Sequence, residues 1–130
     1  MLDKEYILVG YSGHGFVVAD TAIENGVNII GYSEKSIVDK NPFNIEYLGY
    51  ESDENFIGWN KKFHYLLGIG NNSLRQKIAN SLENKGAIIE YNIHKTASIS
   101  KNVQIGNGTF INKNVSVNAL SIIGKYVILN

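Results

Sequence analysis

Two glycine-punctuated turns and three histidines are the residues of this 130-residue chain whose types and spacing can do chemistry. The first turn, Gly10-Tyr11-Ser12-Gly13-His14-Gly15, follows a short apolar run, Tyr6-Ile7-Leu8-Val9, and precedes a helical pattern. A helix starting there offers unpaired N–H groups and the positive end of its dipole, a ready receptor for phosphate. The strict G-x-G-x-x-G dinucleotide spacing fails because Ser12 stands at its second glycine. Glu34, roughly 20 positions beyond Gly13, is placed for a ribose or base contact. The alternative is that the glycines only allow a tight turn and close helix–sheet packing, since nucleotide-type folds host many functions.

The second turn, Gly70-Asn71-Asn72-Ser73, stands between a later apolar run and a helix. In an open parallel sheet both turns fall at the carboxyl edge and converge on one crevice. Asn72 or Ser73 also suits a helix N-cap. Arg75, the only arginine, falls in the first helical turn, where a positive charge opposes the dipole and a bound anion would relieve it. A solvated surface arginine is the alternative. His14, His64 and His94 are far apart and lack metal-ligand spacing, so neither a zinc site nor any other metal is expected. His64 reads as a partly buried, hydrogen-bonded strand residue and His94 as a packing residue. None has a visible partner to make it a general base, so no catalytic residue is expected in this chain.

These turns need an α/β scaffold to hold them. Residues 6–10 read as a buried parallel strand, and residues 16–25 as a helix with Phe16, Ala19 and Ile23 on one face, closed by Gly26. Residues 27–32 read as a second strand, completing a crossover unit that favours parallel neighbours. Residues 33–44 are polar, contain Pro42 and read as a loop; residues 45–48 suggest a short strand and residues 51–62 a helix with an acidic first turn. A strand over 63–70 leads to a helix carrying Leu74, Ile78 and Leu82, closed by Gly86. Residues 87–91 form one more strand.

From Ile93 the period changes. Ile93, Ile99, Ile105, Ile111, Val117, Ile123 and Leu129 recur every six residues, with Ala97, Val103, Thr109, Val115, Ser121 and Val127 four positions after the first six. Neither a helical period nor simple strand alternation produces this; hexapeptide repeats build a parallel β-helix. Its corners need positive φ, which Asn102, Asn107, Asn112, Asn114 and Asn118 suit. The repeat stops inside a seventh hexapeptide with nothing to cap its edge, so the expectation is a piece of a longer protein. The chain therefore divides into a nucleotide-type α/β domain, 1–91, and the unfinished start of a β-helix, 92–130.

Composition narrows the classes. Twelve basic residues balance twelve acidic ones, which argues against a nucleic-acid partner. The absence of cysteine excludes disulfides, thiolate metal sites and cysteine nucleophiles. Apolar runs are far shorter than the ~20 residues of a membrane span, and the charged start shows no signal peptide, so a cytoplasmic protein without a membrane partner is expected.

The serine-glycine-histidine-glycine turn, Gly68-Ile69-Gly70-Asn71-Asn72 with Arg75 and Ile78, Ile93-His94-Lys95-Thr96-Ala97, and Val127-Ile128-Leu129-Asn130 together resemble the left-handed β-helix sugar acyltransferases. That family includes sialic-acid O-acetyltransferases and UDP-4-amino-sugar N-acetyltransferases of bacterial glycan synthesis. The resemblance implies that residues 1–91 are a small Rossmann-like parallel-sheet domain that binds the nucleotide-sugar, followed by the first coils of a left-handed parallel β-helix. It implies a homotrimer that transfers an acetyl group from acetyl-CoA to a nucleotide-sugar, UDP-linked by expectation. Ser12, Gly13, His14, Gly15, Asn71 and Asn72 would then lie near the nucleotide, with His14 a structural turn residue, and Asn130 would match a substrate-side position. The family usually places two adjacent acids after the second strand; here Ser33 departs and Glu34 keeps one charge. The resemblance puts the catalytic histidine after Asn130 and the coenzyme site in later coils, so this chain alone is expected to be inactive. The rivals are a non-catalytic nucleotide-sugar-binding or scaffold protein assembling through its β-helix edge, and a nicotinamide oxidoreductase, which rests on the glycine turn alone.

Overall fold

The computed structural model describes residues 4–60 and 62–130. Residues 1–3, at the start read as lacking a signal peptide, lie outside it. The apolar run ending at the first turn forms β1 (Glu5–Val9), followed by α1 (His14–Glu24) and β2 (Asn28–Ser33). After a long excursion come β3 (Phe63–Leu67), α2 (Asn72–Asn84) and β4 (Ile88–Ile89). The four strands are parallel in the order β2-β1-β3-β4, so strand order reverses beside β1.

Alternation along the strands sends side chains to both faces. Leu8 and Leu66 pack with Val18, Ala19 and Ala22 of α1, while Ile7, Val9, Tyr65 and Leu67 pack with Ala79 and Leu82 of α2. Ala19 and Leu82 are buried as the apolar periodicity predicts, while the rest of each buried face is offset by one position. Ile23 and Leu74 are exposed, and Arg75, not Leu74, takes the inward place above Ala79 and Leu82. The residues expected as a helix over 51–62 instead form consecutive turns, with Asp53, Phe56 and Trp59 donating N–H groups to carbonyls three residues back. Lys61 within that span lies outside the described residues. The turns win because Gly58 packs against Phe56 and Ile7 with no room for a side chain, and its carbonyl accepts the Tyr65 hydroxyl. Of the short strand over 45–48 only a Tyr47–Tyr32 bridge forms, and the strand over 87–91 shrinks to β4.

The hexapeptide tail forms seven two-residue strands. They are β5 (Asn92–Ile93), β6 (Ser98–Ile99), β7 (Gln104–Ile105), β8 (Phe110–Ile111), β9 (Ser116–Val117), β10 (Ile122–Ile123) and β11 (Ile128–Leu129). Each pairs in parallel with the strand three elements away, giving stacks β5-β8-β11, β6-β9 and β7-β10: the opening coils of a parallel β-helix. Positive φ recurs at every sixth residue, Asn102, Gly108, Asn114, Leu120 and Tyr126. Asn107, Asn112 and Asn118 sit elsewhere, so only two of the five asparagines expected at corners occupy them. Leu120 and Tyr126 hold a conformation that costs an ordinary L residue roughly 1–2 kcal/mol.

Arg75 joins the two parts. It is 2% exposed, and its guanidinium donates to the carbonyls of Leu67 (3.0 Å) and Ile69 (3.1 Å) after β3, and of Gly108 (2.8 Å) and Tyr126 (2.7 Å) on two stacked β-helix corners. Burial pulls its pKa from 12.5 to about 10, so it stays charged at neutral pH. Neither the anion-facing nor the solvated arginine expected from sequence is what forms. On the other flank Asn25 donates to Ile93 O, Asn92 donates to Val18 O, and Phe110 packs into the α1-side core.

Arg75→Leu would strand four carbonyl groups, and loss of a buried charged hydrogen-bonding group costs about 3–5 kcal/mol. Chemical denaturation should show that loss, with Arg75→Lys recovering less than half of it. In contrast, Leu120→Asn should raise stability by up to about 1 kcal/mol by relieving backbone strain, read as a higher melting temperature.

Candidate functional site: a crevice at the carboxyl edge of the sheet

Ligands of open α/β sheets bind outside the carboxyl ends of the strands, where strand order reverses. Here that place holds a crevice of about 480 Å³, lined by the ends of β1 (Val9, Gly10), β2 (Ser33, Glu34) and β3 (Gly68, Ile69, Gly70), by α2 and by the loop after β2. Its floor depends on close backbone approach. A Cβ on Gly68 would stand 2.0 Å from the Gly10 carbonyl oxygen, and one on Gly15 would stand 2.5 Å from it. The glycines therefore do serve close packing. They also leave the mouth of α1 open: Gly13 is its N-cap, with no side-chain cap, and Ser12 and Gly13 are exposed.

Among the residues expected near a ligand, Ser12 and Glu34 line the crevice. Glu34 also braces the turn, accepting the Tyr11 N–H at 2.6 Å through Oε2. Gly13 and Gly15 shape the turn without lining the crevice. His14 opens α1 and faces away, its ring edge-on to Phe110 at 5.1 Å. Its Nε2 is buried without a partner, and burial, then the charge of Arg75, push its pKa down, so it is neutral at physiological pH. Asn71, not Asn72 or Ser73, is the α2 N-cap, accepting the Leu74 N–H at 2.9 Å. Asn71 and Asn72 stand on the exposed rim beside Gly70 and do not line the crevice. Asn130 is exposed after β11 and is not part of it.

Ser33, Lys35, Tyr50, Glu51, Ser52, Lys77 and Ser81, none of them a site residue expected from sequence, supply the other polar side chains of the lining. Glu51 comes from the loop read as a helix. Its backbone N–H donates to Ser33 Oγ at 2.9 Å, and the Ser33 hydroxyl donates to the Glu51 carboxylate in a short bond. The position where Ser33 departs from an acid pair is thus met by a carboxylate from another segment. No local spacing announces that pairing; only the polar residue ending an apolar strand hints that something must satisfy it.

The other histidines are structural. His94 is buried at the junction; its Nδ1 accepts the Thr96 N–H (3.0 Å) and hydroxyl (2.8 Å), which leaves Nε2–H to donate to Glu24 in a short bond. His64 Nδ1 lies 3.7 Å from Glu90 and makes no hydrogen bond. Among the described residues no group of three His, Cys, Asp or Glu side chains could hold a metal. No helix among them is long and apolar enough to cross a membrane.

Residues 5–82 match the family described as the PglD N-terminal domain, and the chain belongs to that family. Its fold is similar to that of a histidine-to-asparagine variant of perosamine N-acetyltransferase from Caulobacter crescentus, in complex with CoA and GDP-perosamine. The TM-score is 0.84 at 24% identity, over 97% of this chain and 60% of that one. It is also similar to the acetyltransferase domain of PglB from Neisseria gonorrhoeae FA1090 in complex with acetyl coenzyme A, with TM-score 0.83 and 24% identity, over 98% of this chain and 62% of that one. The likeness is one of fold, and the chain spans about three fifths of the length of these proteins.

The junction gives a pH signature. The hydrogen bond from His94, with help from Lys113, holds Glu24 below its ordinary 4.5. A depressed carboxylate contributes stability that is present above its unfolded pKa and lost as pH falls through the folded one. Between about pH 5 and about pH 3 the melting temperature of the wild type should therefore fall more steeply than that of Glu24→Gln. Equal slopes would remove this pair from the account.

Proposed function

We propose that this member of the PglD N-terminal domain family is the nucleotide-sugar-binding part of an acetyl-CoA-dependent sugar acetyltransferase of bacterial surface-glycan synthesis. The observation that carries the reading is the crevice at the strand-order reversal, open to the uncapped start of α1. Backbone N–H groups there suit a diphosphate, Ser12 adds a hydroxyl, and Glu34 stands where a ribose or base donor would arrive. Gly13, His14 and Gly15 shape that turn, and His14 does so as a neutral packing residue. Asn71 and Asn72 border the sugar side of the rim, and Asn130 is held as a substrate-side position of the β-helix.

The fold likeness to proteins solved with CoA, acetyl coenzyme A and GDP-perosamine supports the co-substrate and substrate class. The resemblance to UDP-4-amino-sugar enzymes favours UDP, whereas the Caulobacter complex holds a GDP-sugar. In the reaction a sugar amine or hydroxyl attacks the thioester carbonyl, the new N–C or O–C bond forms, the C–S bond breaks, and the nucleophile's proton passes to a base. A histidine suits that role near neutral pH, and we place it beyond Asn130, with the coenzyme site in further coils. We take the domain division at 91/92, between β4 and β5. Leu120 and Ile122, 75% and 77% exposed on the second coil, support a homotrimer in which such apolar side chains are covered. The use of acetyl-CoA fits a cytoplasmic reaction.

Calorimetric titration of the chain with UDP and GDP should show saturable 1:1 binding to at least one. A folded chain that binds neither overturns the reading. Mixed with acetyl-CoA and a UDP- or GDP-linked amino-sugar, the chain alone should release no CoA thiol; release would place the base within these 130 residues.

A further inference from the structure

Glu51 is 8% exposed, yet it lines the crevice at the sheet edge. Its Oε2 is fixed by the Ser33 hydroxyl, whose oxygen in turn accepts the Glu51 backbone N–H, a closed ring that locks the side chain. No ion pair among the described residues meets the carboxylate, although Lys35 and Lys77 line the same crevice. Its Oε1 makes no hydrogen bond there and is not sealed in the interior. A carboxylate this withdrawn from water is costly unless donors meet its remaining lone pairs. The crevice volume of about 480 Å³ falls within the roughly 300–1,000 Å³ typical of small-ligand sites. Ile69, Leu74 and Ile78 line the same crevice as Ser33, Glu34 and Glu51 and offer apolar surface to a flat ring.

Resting on the nucleotide reading of this crevice, we propose that Glu51 is its base-reading residue and that the base selected is guanine. A carboxylate is an acceptor only, and it takes two parallel N–H bonds best. Guanine presents two adjacent donors, N1–H and the N2 amino group. Uracil offers one N–H between two carbonyl oxygens, which a carboxylate repels; adenine and cytosine alternate donor with acceptor on that edge. Ser33 positions Glu51 by holding Oε2, and Glu34, tied to the Tyr11 N–H, remains on the turn side of the crevice for the ribose.

Calorimetry on the whole chain with GDP, inosine diphosphate and UDP tests this, because inosine lacks only the N2 amino group of guanosine. The wild type should bind GDP about tenfold more tightly than either of the others, the scale of one hydrogen bond to a charged group. Glu51→Gln should bring GDP to within about twofold of inosine diphosphate, with the latter weakened less because it loses only the charge on the acceptor of its N1–H. Ser33→Ala, which frees the carboxylate without removing it, should lose part of the preference; it decides the matter if Glu51→Gln melts at a lower temperature. Equal wild-type affinity for GDP and inosine diphosphate, an unchanged preference in the folded variants, or tighter binding of UDP overturns the guanine assignment and leaves the nucleotide site standing. Binding of none of the three overturns the nucleotide reading, and this assignment with it.

Discussion

A single buried guanidinium sets the geometry of this chain. Arg75 binds the carbonyls of Leu67 and Ile69, where β3 runs out into the crevice, and those of Gly108 and Tyr126, two stacked corners of the β-helix. Among the described residues its charge is met by backbone carbonyl dipoles and by no carboxylate, so each carbonyl must be in place for the burial to be tolerated. The crevice wall after β3 and the β-helix coils are therefore fixed to one another through one side chain. The strained φ of Tyr126 falls at one of these four contacts, and its hydroxyl is held by Glu83 of α2, so packing holds the corner where no glycine or asparagine does.

Around that clasp the crevice follows from the sheet topology. Strand order reverses beside β1, the chain ends of β1 and β3 come together, and glycines at 10, 15 and 68 let the backbones approach to distances no side chain permits. The lining is polar where β2 ends and mixed along α2, where Leu74 and Ile78 stand beside Lys77 and Ser81. The histidines, by contrast, are all spent on structure: one edge-on to Phe110, one bonded to Glu24 and Thr96, one beside Glu90.

The parts legible in the sequence are those written in local periodicity. Seven aliphatics at six-residue spacing specify the β-helix, and an apolar run ending in a glycine turn before a helix specifies β1 and α1. Glu34 and Ser12 were legible because their place is set by that same turn. Arg75 was not, since an arginine in a buried helical position looks like a polar interruption of the stripe, and its partners lie up to 51 residues away. Glu51 was illegible for the same reason: its partner is a strand-end serine 18 residues back, and the aromatic Phe56 and Trp59 imitate a helical face in a segment that tertiary packing folds into turns. Corner residues were half legible, because asparagine and glycine announce a positive φ but leucine and tyrosine do not.

The central claim is that the sheet-edge crevice, and no part of the β-helix, receives a nucleoside diphosphate. Amide chemical-shift mapping of the labelled chain during titration with GDP and UDP tests it most directly. The account predicts saturable shifts at Ser12, Gly13, Glu34, Glu51, Gly70 and Lys77, with the strands from β6 onward unmoved. Shifts confined to the β-helix, or to the opposite sheet edge around Trp59 and Lys85, would contradict it.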